Sequence, residues 1–166
     1  MKIAFGYKMG VGKDTAVEYL IKKYGGKQIS FASPIYDILN YAQNRCGFKK
    51  EKDRQFLQYV GTEWARKKEE NIWVRLALES TTDDTNNFLS DVRFKNELNA
   101  LKKNNWICVK INRDVIEKNR EGTGNNKHSS ETELDSVSDE NWDYVIYNNG
   151  SIKDFYQNID NIIKSI

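Results

Sequence analysis

The sequence predicts an α/β fold, a parallel sheet covered by helices on both faces. Short apolar runs alternate with segments whose apolar residues recur at helical spacing, as strand–helix–strand crossovers require. A glycine-rich stretch separates the first such run from the first helical one. No repeat or linker interrupts the 166 residues, a length that suits one domain, 1–166, with a real core.

Lys2 to Gly6 is a short apolar run and reads as a buried strand. After the glycine-rich stretch, Ala16, Val17, Leu20, Ile21 and Tyr24 recur at helical spacing, and Gly25-Gly26 stops that helix. "KQISF" (Lys27 to Phe31) reads as a second strand. Ser33-Pro34 opens a helix, a hydroxyl cap followed by proline in the first turn. Residues 51–80 read as helical, with Phe56, Tyr59, Trp64 and Trp73 among many charges. "NFLSDV" (Asn87 to Val92) and "WICVKI" (Trp106 to Ile111) are the next strands, separated by a helix with Phe94, Leu98 and Leu101 on one face. Residues 112–130 are polar, carry Gly122 and Gly124, and offer only Val115 and Ile116 as apolar anchors, which reads as a loop or lid. "DYVIY" (Asp143 to Tyr147) is a fifth strand, and Ile152, Phe155, Ile159, Ile162, Ile163 and Ile166 stripe a final helix.

Composition narrows the function classes. Lys+Arg number 26 against 24 Asp+Glu, scattered rather than striped, so a nucleic acid polymer is not the expected partner. No stretch is long and apolar enough for a signal peptide or a membrane span, so the expected location is the cytoplasm, without a membrane partner. Cys46 and Cys108 lie far apart without metal or disulfide-framework spacing, and Cys108 reads as a core thiol.

"GYKMGVGKDTA" nearly fits the phosphate-loop pattern G-x-x-x-x-G-K-[ST] between a strand and a helix. In that setting the amides of Met9, Gly10, Val11, Gly12 and Lys13 turn onto phosphate oxygens at the positive end of the helix, and Lys13 bridges the outer phosphates. Two positions depart from the pattern. Tyr7 stands where the first glycine falls, and is tolerable if it takes the required backbone angles. Asp14 stands where a hydroxyl normally meets Mg²⁺; a carboxylate is also a hard oxygen ligand, and Thr15 could bond the inner phosphate. The plain alternative is a glycine turn before an ordinary helix. A second constellation, "SDVRFKNE" (Ser90 to Glu97), sets Asp91 and Arg93 at the carboxyl end of a strand, where ligands of open α/β sheets bind. Asp91 is then a candidate for the metal's hydration shell or for a substrate group, and Arg93 for phosphate charge; a strand-end salt bridge is the alternative.

"GVGKDTA", "FASP", "LQYVGTEWAR", "SDVRFKNE", "HSSETELD" and "YVIYNNGSIKDFY", in that order, resemble the viral deoxynucleoside monophosphate kinases of the P-loop kinase superfamily, over nearly the whole chain. The resemblance implies a five-stranded parallel sheet sandwiched by helices, with a mobile lid. It implies transfer of the ATP γ-phosphoryl group to a deoxynucleoside 5′-monophosphate with Mg²⁺, in the host cytoplasm. Tyr36 departs from it, standing where related sequences often carry lysine. A homodimer is compatible with all of this.

The acceptor-binding region is expected at about 33–80. A monophosphate needs cations for its phosphate, an amide for its base edge and an aromatic wall, and Arg54, Gln58, Thr62, Trp64, Arg66 and Trp73 supply that set. Arg54 and Gln58 share a helix face, as do Gln58 and Thr62 if the helix continues. For each residue the alternative is a solvated helix with its aromatics in the core. In the lid, Arg113 and Arg120 are expected as charge clamps, and the lone His128 as a structural contact. Asn148, Asn149 and Gly150 follow the last strand and could border the adenine or simply make a turn, with Asn149 the candidate nucleotide contact. Two rival functions remain open at this point: a P-loop kinase for another small metabolite, and a non-catalytic ATP-binding switch.

Overall fold

The structure, a computed structural model, describes residues 1–114 and 132–166. Most of the expected lid, with Arg120 and His128, lies outside the described residues. Five strands form one sheet: β1 (Lys2–Gly6), β2 (Lys27–Ile29), β3 (Asn87–Val92), β4 (Ile107–Asn112) and β5 (Tyr144–Tyr147), in the order β2-β3-β1-β4-β5. The described helices are α1 (Lys13–Tyr24), α2 (Ser33–Cys46), α3 (Arg54–Gln58), α4 (Ala65–Lys68), α5 (Ile72–Glu79), α6 (Lys95–Lys103) and α7 (Ile152–Ser165), with a π-helical stretch, Tyr59–Trp64, between α3 and α4. Two compact units contain them, Met1–Gln28 with Thr82–Ile166, and Ile29–Thr81.

In the first unit β1 pairs in parallel with both β3 and β4, and β4 with β5. The chain moves outward from β1 to one side, then crosses back from β3 over β1 to β4 and on to β5. Right-handed crossovers running in opposite directions put their helices on opposite faces. On one face α1 and α7 bury Val17, Leu20, Phe155 and Ile159 against Ile3, Phe5, Phe88, Val109 and Ile146. The other face takes Ala4, Leu89 and Cys108, which stand in register across three strands, and α6 with Leu98 and Leu101. Burial pushes the Cys108 thiol up to about 12, as a core thiol requires.

Several boundaries differ from expectation. β2 stops at Ile29, two residues short of Phe31. Ala32 caps α2, so Ser33 is its first helical residue rather than a hydroxyl cap. In the stripe of α7 only the central positions are core; Ile152, the first helical residue, and Ile166, just past the last, are exposed. Ser151 and Asp154 make a reciprocal capping box that fixes where α7 begins.

In the second unit the α-helix expected through 51–80 is broken. Asp53 caps α3 by accepting the Phe56 amide at 2.9 Å. The α-pattern then yields at Tyr59 to i→i+5 bonding, and Glu69–Asn71 separate α4 from α5. The chain does continue helically past Gln58, but as a π-helix rather than the α-helix expected. No helix among the described residues is long and apolar enough to cross a membrane.

Candidate active site

The glycine-rich stretch leaves β1 at the point where the sheet order switches direction, the position at which open α/β sheets bind ligands. Its path needs three positive φ angles within six residues: Tyr7 at 96°, Gly10 at 82° and Gly12 at 110°. Tyr7 thus adopts the backbone that the loop pattern reserves for glycine, at a cost of about 1–2 kcal/mol. At Gly12 any side chain is disfavoured. A Cβ there would lie 2.8 Å from Asn148 Nδ2 and 3.4 Å from the Phe155 ring. Asn148 uses that nitrogen to donate to the Val11 carbonyl at 2.8 Å, which ties the loop to the end of β5.

Gly12 O accepts the Ala16 amide at 3.0 Å and starts α1, so the positive end of a twelve-residue helix opens onto the loop. Lys13 is only 7 % exposed. Its ammonium donates to the Tyr7 carbonyl at 3.1 Å and to the Lys8 carbonyl. A cation is therefore held at the loop by backbone oxygens, within one side-chain swing of any anion seated there.

Asp14, in the first turn of α1, accepts a hydrogen bond from Ser90 Oγ at 2.6 Å, and Ser90 Oγ accepts in turn from Gln28 Nε2 at 3.2 Å. Strand β3 makes this contact through an irregularity. Ala4 pairs with Leu89 but Gly6 pairs with Val92, so Ser90 and Asp91 both oppose Phe5. Such a bulge breaks strict alternation and re-aims side chains at a strand end. Among the described residues no group of three or more His, Cys, Asp or Glu is placed to hold a metal. Mg²⁺ does not require one: it is held through one or two carboxylates, water and substrate phosphates. The hard oxygens of Asp14 and Ser90 fit a Mg²⁺ that arrives with phosphate.

Arg93 follows β3 and is half-buried. Its amide donates to Glu97 Oε2 at 2.7 Å, and the Phe94 amide donates to the same oxygen at 3.0 Å. Glu97 is 2 % exposed and so fixes the backbone that carries Arg93. Sequence reasoning gave no role to Ser90 or Glu97. For Glu97 the signal was present, an acid at the third position of a helix. For Ser90 there was none, since the bulge exists only in the paired sheet.

Thr15 is half-buried beside the loop. Asn149 Oδ1 accepts the Asp114 amide at 2.9 Å and so fastens the chain just beyond β4; Arg113 next to it is exposed. In the second unit Arg54 is exposed, Gln58, Thr62 and Arg66 are half-buried, and Trp64 is 47 % exposed. Trp73 takes the alternative open to it, a core aromatic: it is 4 % exposed and donates its indole N–H to the Gly61 carbonyl at 2.7 Å. Of the two tryptophans, Trp64 is the one open to a base.

Residues 49–159 match the family model for deoxynucleotide monophosphate kinase, a span that begins after the phosphate loop. A protein of Acanthamoeba polyphaga mimivirus, provisionally named a deoxynucleotide monophosphate kinase, is 30% identical over 181 residues, covering 90% of this chain and 89% of its own length. An uncharacterized protein of Ictalurid herpesvirus 1 is 35% identical over 145 residues and 82% of this chain; the chain spans 60% of that protein's length. The fold is similar to that of an unliganded sugar kinase from Janibacter sp. HTCC2649, with a TM-score of 0.50 and 12% identity, over 95% of this chain and 90% of that one.

Proposed function

The chain belongs to the deoxynucleotide monophosphate kinase family, and from that premise we propose that it transfers the γ-phosphoryl group of ATP to a deoxynucleoside 5′-monophosphate, giving the diphosphate and ADP. Its fold is of the P-loop kinase-like α/β type. The observation that carries the proposal is Lys13, a buried ammonium held by loop carbonyls at the opening end of α1.

In this reading the amides of Met9 to Lys13 receive the ATP phosphates, Thr15 bonds the inner one and Asn149 borders the adenine. Lys13 leaves the Tyr7 and Lys8 carbonyls for the outer phosphate oxygens, an exchange that preserves its hydrogen bonds while gaining a charged partner. Mg²⁺, when bound, neutralises phosphate charge; Asp14, oriented by Ser90, and Asp91 would hold it directly or through water. Arg54, Gln58, Thr62, Trp64 and Arg66 bind the acceptor, with Trp73 supporting that region from its core. An ionised acceptor oxygen attacks the γ-phosphorus while the bond to the β-phosphate oxygen breaks, so no base is needed. Arg93, with its backbone held by Glu97, and Arg113 and Arg120 neutralise the charge that spreads over the transferred group.

The test is ATP consumption by the purified protein with each deoxynucleoside monophosphate in turn, for wild type and Lys13→Ala. Consumption should depend on one or more of these acceptors and fall by a factor on the order of 10²–10³ in the variant. Consumption without any of them, or near-normal turnover by a folded Lys13→Ala protein, would overturn the proposal.

A further inference from the structure

We propose that Lys110 is a positioning residue for the phosphate loop, clamping the Tyr7 ring so that Tyr7 holds a backbone conformation otherwise left to glycine. The ligand arm of the test below rests on the kinase reading; the clamp itself does not. Tyr7 lies at φ 96°, which a side-chain-bearing residue keeps only when its surroundings over-determine it. Its ring supplies the handle. Lys110 Nζ lies 4.2 Å from the ring centroid and Lys8 Nζ 4.9 Å, so two cations bear on one aromatic residue.

Lys110 is the stiffer of the two. It stands on β4 opposite Gly6, the residue just before Tyr7, and is 7 % exposed. Its ammonium is fixed by Asp139 at 2.7 Å, whereas Lys8 reaches Asp135 at 3.5 Å. Both side chains are largely screened from water, 9 % and 16 % exposed, but only Lys110 is also locked on a strand, and a desolvated cation makes a ring contact of a size comparable with the strain it must offset. The other end of Tyr7 matters to the chemistry, because its carbonyl accepts the Lys13 ammonium. Asp139, Lys110, the Tyr7 ring, the Tyr7 carbonyl and Lys13 thus form one chain of contacts, anchored outside the loop.

Glycine at position 7 needs no clamp, so the proposal predicts a specific non-additivity. Wild type, Lys110→Met, Tyr7→Gly, the double variant and Lys110→Arg are compared by amide hydrogen exchange without ligand, with thermal unfolding as the folding control. Lys110→Met should speed exchange of the amides of residue 7 and Ala16, which donate to the Val92 and Gly12 carbonyls at the two ends of the loop, by about tenfold. In the Tyr7→Gly background it should add less than about twofold, and Lys110→Arg should restore protection because it keeps the cation over the ring. Calorimetric titration with ADP should show the same pattern in Kd. Equal acceleration in both backgrounds, or acceleration spread over the whole sheet without a local excess at residues 7 and 16, would overturn the clamp. Failure of wild type to bind ADP would sink the kinase reading instead, and the exchange comparison would still decide the clamp.

Discussion

Gly12→Ala should destabilise the protein more than Gly47→Ala, the glycine that ends α2 in the same left-handed region, and the excess can be worked from the structure. Two penalties meet there. The backbone at φ 110° costs an alanine about 1–2 kcal/mol whatever the surrounding space. The new Cβ would also stand 2.8 Å from Asn148 Nδ2, so that amide must retreat and release the Val11 carbonyl it bonds at 2.8 Å. Losing that neutral hydrogen bond costs about 1 kcal/mol more. The whole loss is about 2–3 kcal/mol, which for a chain of this size lowers Tm by roughly 5–10 °C. Gly47→Ala is the internal control, since Gly47 lies at φ 69° and ψ 23°, in the left-handed region that Gly12 also occupies, with nothing within 4 Å of its Cβ position, and should show the backbone penalty alone. Urea unfolding of both variants, with Gly12→Ala repeated in an Asn148→Ala background, separates the two contributions. In that background the cost should fall by about 1 kcal/mol, because the obstructing amide is gone. A Gly12→Ala cost no larger than that of Gly47→Ala would refute the reasoning, and with it the view that Asn148 braces the loop.

Three further outcomes are expected. Asp14→Ala should raise the Mg²⁺ concentration needed for half-maximal rate, and Ser90→Ala should raise it less, because Ser90 only orients the carboxylate; an unchanged Mg²⁺ dependence of the Asp14 variant would reduce it to a favourable charge in the first turn of α1. Alanine at Arg54, Gln58 or Arg66 should raise the KM for the monophosphate several-fold and that for ATP little; parallel changes in both would mean that these residues only support their unit. Asp160 lies between Lys23, Tyr19 and Tyr24, and the Lys23 hydrogen bond holds its carboxyl below the ordinary 3.8. A depressed carboxyl contributes stability above its unfolded value and loses it as pH falls through the folded one. Wild type should therefore exceed Asp160→Asn in stability at neutral pH and converge with it below pH 3.8, as unfolding curves against pH would show.

What the sequence determined by itself was whatever is written within a few residues. The five strands, Asn87–Val92 to the residue, are legible because short apolar runs bounded by polar turns and alternating with helical stripes suit buried extended chain. Helix α1 is legible for the same reason, through its stripe and its Gly25 stop, as is the loop before it, whose Gly12-Lys13 pair sits at a strand–helix junction. Tertiary structure alone decided the rest. Ser90 reaches Asp14 across 76 positions, and Asn148 reaches Val11 across 137, because sheet order and register bring the ends of β1, β3 and β5 together. The bulge in β3 arises from pairing and has no counterpart in the isolated strand. The sequence says only that Tyr7 must take a glycine-like backbone if the motif is to work; that it does so, at φ 96°, is decided by the folded loop. Periodicity records which face a residue turns to the core. It does not record which distant residue waits there, since that depends on how separate elements stack and on what each contact must offset.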